Sequence, residues 1–133
     1  AASNNDLDLF DEMRDAAMLG KLAADDASAV PAGAAVEMAT AGGADALGLP
    51  GGRIEAGAAA DIAVVDLNAP HLTPVHDPVS QLAYAARGSD VRHTVCDGRV
   101  LMRDREVLTL DAESVQERAA SAASDLVDRV ESA

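Results

Sequence analysis

Large rings are nearly missing from this chain: one Phe, one Tyr and no Trp among 133 residues. Hydrophobic residues make up 49%, but many are Ala, and burying a methyl group stabilises far less than burying Leu or Phe. A thin core follows. Lys21 is the only lysine. Cys96 is the only cysteine, which excludes an internal disulfide and suits a cytoplasmic setting. No apolar run approaches the ~20 residues of a membrane span. Nor is there a His-x-His pair, a paired-Cys motif, a Gly-rich phosphate loop, a nucleophile elbow or an internal repeat.

What is abundant is negative charge. Asp and Glu total 23 against 10 Lys and Arg, a formal net charge of −13. Nucleic-acid binding is excluded, because a phosphate backbone needs a basic face. An acidic, lysine-poor surface suits high salt, where screening removes self-repulsion, and a halophilic source is expected.

Local signals divide the chain. Ser3, Asn4, Asn5 and Asp6 are candidate caps for a helix over 6–24, with Asp6, Asp8, Asp11 and Glu12 loading its first turns. Pro31 fits the first turn of a second helix to about 41, Gly42-Gly43 should stop it, and a short helix follows over 43–48. Arg53–Gly57 reads as an extended piece and turn. Ile62, Val64 and Val65 favour a strand within 61–67. Asp77 and Pro78 open a helix over 78–86. Val91–Cys96 and Arg99–Arg103 make a hairpin about Asp97-Gly98, and 106–110 adds a short strand. Val115, Ala119, Ala122, Leu126 and Val130 recur at helical spacing in a terminal surface helix, 111–132. A coiled coil there is open, though the stripe is mostly Ala.

Three further places carry residue types capable of chemistry. His71 and His76-Asp77 could hold a metal, but they lie on a loop broken by Pro70, Pro74 and Pro78, and a zinc site wants three or four ligands. Cys96 is expected as a small buried hydrophobe. His93 is expected on a strand, facing solvent or a neighbour.

Ser3-Asn4-Asn5, Leu7-Asp8-Leu9-Phe10 and Glu12-Met13-Arg14 resemble the segment after the last barrel strand of the metal-dependent amidohydrolases. Within these they look most like the 5-methylthioadenosine/S-adenosylhomocysteine deaminases and related chlorohydrolase-like proteins. IEAGAAADIAVVD, 54–66, and PHLTPVHDPVSQLAYAA, 70–86, resemble the same group, and the likeness runs from Ala1 to about Ala119. It implies an α+β fragment: the last helices of a (β/α)8 barrel, part of the flanking small β-sandwich and a C-terminal helix. The implied division is 1–50 for barrel helices, 51–76 for a sandwich segment, 77–90 for a helix returning to the barrel, 91–110 for the sandwich hairpin and 111–133 for the terminal helix.

The resemblance also implies chemistry that lies elsewhere. The family's metal-binding and catalytic Asp is expected just before Ala1, and a whole barrel takes about 250 residues. The parent would deaminate S-adenosylhomocysteine- or 5′-methylthioadenosine-type purine nucleosides with a divalent metal, zinc or iron. A triazine-type chlorohydrolase or aminohydrolase is the near alternative. This chain alone is expected to hold no cofactor and no catalysis. Its one implied substrate contact is Ser3, facing the purine pocket, with helix capping as the competing role. Expected partners are the missing N-terminal barrel portion or a second copy of the chain in a homo-oligomer. A reading from another class also stands: a non-catalytic α+β module acting through oligomerisation at open sheet edges.

Overall fold

The computed structural model describes residues 7–132. The first helix, α1, spans Leu9–Ala24. Its cap is Asp8, whose Oδ1 accepts the Phe10 N–H at 3.0 Å. The helix therefore starts later than its run of polar residues suggested, and the candidates Ser3 to Asp6 lie outside the described residues. Asp8 is favoured because its second oxygen accepts the Gly88 N–H at 2.6 Å. A tertiary bond chooses among caps that are locally equivalent.

Pro31 is the cap of α2, Ala32–Glu37, rather than a member of its first turn. The expected stop at Gly42-Gly43 does not occur. The helix widens into a π-helical segment, Met38–Gly42, and continues as α3, Gly43–Leu47. A Cβ at Gly42 or Gly43 would stand 3.2 Å from the Glu37 or Met38 carbonyl oxygen, so here the glycines serve close packing. Past α3 the chain bends without forming a strand. Arg53 forks onto the Asp45 carboxylate at 2.9 and 3.2 Å. At Gly52, φ is +78° and a Cβ would sit 2.6 Å from the Thr40 carbonyl oxygen; only glycine fits there.

The fourth helix, α4, spans Pro78–Tyr84, with Asp77 accepting from Val79 N–H at 3.0 Å. It packs with α1 and α2 around Met13, Ala17, Ala35 and Ala83, flanked by Phe10, Val30, Val36 and Tyr84. Among the described residues, five of the seven buried hydrophobic side chains are Ala, with Met13 and Leu72 the others. The core is as thin as the composition requires.

Polar ties supplement it. Arg14 donates to the carbonyls of Tyr84 and Ala86, each at 3.0 Å, and also to Asp11. Lys21 donates to the Val30 carbonyl at 2.7 Å, the Tyr84 hydroxyl at 2.8 Å and the Ala17 carbonyl at 3.4 Å. All three ammonium protons are used. Val30 has φ of 43°, an unfavourable state for a β-branched residue, and its carbonyl is the one Lys21 grips most closely.

The sheet has four antiparallel strands in the order β1-β2-β3-β4: Ile62–Val65, Val91–Cys96, Arg99–Arg103 and Glu106–Val107. The sequence reading placed these strands well, although β4 is shorter than expected. Asp97 and Gly98 take φ of 47° and 75°, as a two-residue hairpin turn demands. Ile62 stands opposite Val95 and Val64 opposite His93, with a bulge before Val65. Finally, α5 spans Ala112–Glu131, capped by Asp111 through Ser114 N–H at 3.1 Å, and none of its residues is buried. No helix among the described residues is long and apolar enough to cross a membrane.

Replacing Lys21 with Met keeps the length of the stem and removes three donors. We expect a loss of about 2 kcal/mol, read from the urea midpoint. An unchanged midpoint would show that the lysine is dispensable.

Candidate functional site

The sheet and α4 meet at Asp90, which is 5% exposed. It closes a short 3-10 turn, Gly88–Asp90, just ahead of β2. Its Oδ2 accepts the Arg87 N–H at 2.9 Å and lies 3.0 Å from His71 Nε2. An ionised carboxylate only accepts, so that nitrogen carries the proton. The Asp90 carbonyl accepts the Asp66 N–H at 2.9 Å just past β1. One residue thus joins the loop after α4, the histidine of the 70–72 turn and the exit of β1.

An open cleft of about 500 Å³ adjoins it, lined by Asp66, Asn68, Ala69, Asp90, Arg92, Asp104 and Arg105. Arg92 Nε donates to Asp104 Oδ1 at 2.7 Å, and its Nη1 is 3.9 Å from Asp66 Oδ2. His93 Nδ1 accepts the Asp104 N–H at 3.1 Å, giving that histidine the neighbour expected of it. Three carboxyls here sit below the usual carboxylate range. Burial pushes Asp90 up, but the hydrogen bonds from His71 and Arg87 outweigh it. Asp66 is lowered by its bonds from the backbone and side chain of Asn68, and Asp104 by its bond from Arg92. All three are ionised near neutral pH, and none is poised as a general acid there.

The cleft is lined by charged groups held by hydrogen bonds and ion pairs. The residues singled out from sequence are dispersed. Ser3 lies outside the described residues. His71 turns to Asp90, and Asp77 is used as a helix cap. Cys96 is exposed, contrary to the buried position expected. It ends β2 near the turn, where the Asp61 carboxylate accepts its hydrogen bond and pushes its thiol pKa up, which makes it a poor nucleophile. Among the described residues no three His, Cys, Asp or Glu side chains group to hold a metal ion; the described residues do not fit a divalent metal centre.

Sequence reasoning missed Asp90, Arg14 and the tertiary bond of Asp8. Only Asp90 left a local signal, a Gly-Ser-Asp turn directly before a strand.

A helical layer thus passes into a small antiparallel sheet, with Asp90 pinned between them. The Amidohydrolase family model matches residues 1–101, and the chain belongs to that family. It is 72% identical over 97% of its length to the 5-methylthioadenosine/S-adenosylhomocysteine deaminase of Haloarcula marismortui. It is 73% identical over 97% to the protein of that name in Halobacterium salinarum. The 5′-deoxyadenosine deaminase of Methanosarcina mazei is 50% identical over 98%. In each case the chain spans about 30% of the relative's length. Among solved structures, an adenosine deaminase from Xanthomonas campestris with bound zinc superposes with a TM-score of 0.89, at 40% identity, over 99% of this chain and 30% of its own. An atrazine chlorohydrolase from Arthrobacter aurescens complexed with zinc gives 0.77 at 29% identity, over 84% of this chain and 25% of its own.

Asp90→Asn keeps the shape and removes the charge that holds His71. We expect a loss of about 2 kcal/mol at pH 7. Because the folded carboxyl is lowered, the native residue's contribution is present above the unfolded Asp value near 3.9 and fades as pH falls through the folded value. The stability gap between native and variant should therefore close on acidification. A gap that is constant with pH would exclude the charged bond.

Proposed function

We propose that this chain is the C-terminal part of a metal-dependent amidohydrolase that hydrolytically deaminates adenosine-type nucleosides, with 5′-methylthioadenosine and S-adenosylhomocysteine as substrates. The observation that carries this reading is the 72% identity over 97% of the chain to a haloarchaeal protein of that name. The acidic, lysine-poor composition agrees with a haloarchaeal setting. In the reaction, water replaces the amino group of the purine and ammonia leaves. The divalent metal would be held by residues of the parent outside those described here, as zinc is bound in the two solved relatives.

This chain's contribution is to frame that site. Asp8, bonded to both Phe10 N–H and Gly88 N–H, anchors the start of α1. Ser3 would then offer its hydroxyl to a ring nitrogen of the purine. By this reading 1–50 and 77–90 belong to the barrel and 51–76 and 91–110 to the sandwich. A triazine hydrolase is the competing parent, supported by the 0.77 superposition at 29% identity, a weaker likeness than that to the nucleoside deaminases.

The test is an assay of the parent polypeptide for ammonia from 5′-methylthioadenosine, S-adenosylhomocysteine and 5′-deoxyadenosine, alongside chloride or alkylamine from triazines. We expect ammonia from the nucleosides and nothing from the 133-residue chain alone. Release from triazines only would sink the proposal. Ser3→Ala in the parent should raise KM about threefold to tenfold with an unchanged unfolding midpoint. A lowered midpoint with an unaltered KM would assign Ser3 to capping instead.

A further inference from the structure

We draw no further inference here: the strongest candidate, the open cleft beside Asp90 lined by Asp66, Asn68, Arg92, Asp104 and Arg105, belongs to the site already described, and nothing in the structure shows what would occupy it.

Discussion

Arg14 and Lys21 stand two turns apart on α1, and between them they grip the end of α4 and the turn at Val30. The last carbonyls of a helix have no partner within it, and their partial negative charge favours a cation. Arg14 meets this need at Tyr84 and Ala86. Lys21 holds the strained Val30 and the Tyr84 hydroxyl together. With a core made mostly of alanines, apolar packing alone defines the helix positions poorly, because methyl groups interlock over little area. Directional bonds to fixed carbonyls supply what the core lacks. That is the reason the one lysine of an otherwise lysine-poor chain is half-buried in the helical layer.

A second junction ties this layer to the sheet. Asp90 binds the loop after α4 and the histidine of the 70–72 turn through its side chain, and the exit of β1 through its backbone. Asp8 reaches the same loop from the start of α1. Helices and sheet are thus fastened at one corner, at the start of α1. In the adjoining cleft Arg92 is shared between Asp104 and Asp66, while His71 holds Asp90.

The acidic surface has its own physical consequence. A chain of net charge −13 repels its copies at low ionic strength, and salt removes that repulsion over all but the shortest distances. Contacts that persist in salt must therefore rely on close, ordered charges and apolar packing, as at Arg14, Lys21 and Asp90.

Much of the architecture was legible without coordinates. Strand runs, the Asp97-Gly98 turn, the cap at Asp77 and the stripe of α5 depend on residues near one another in the chain, and local sterics decide them. The amidohydrolase likeness was legible too, from short segments spread over most of the chain. Tertiary structure decided the remainder. Asp8 became the cap of α1 because Gly88 lies beside it, and Gly42-Gly43 stayed helical inside a π-helical turn whose own carbonyls at Glu37 and Met38 crowd them. Cys96 came to the surface because its strand ends at a solvent-facing turn beside Asp61. Asp90, Arg14 and Lys21 took their roles from partners up to 72 residues away. Distant backbone carbonyls and amides leave no trace in local composition, so only the folded chain could reveal which polar side chains they would select.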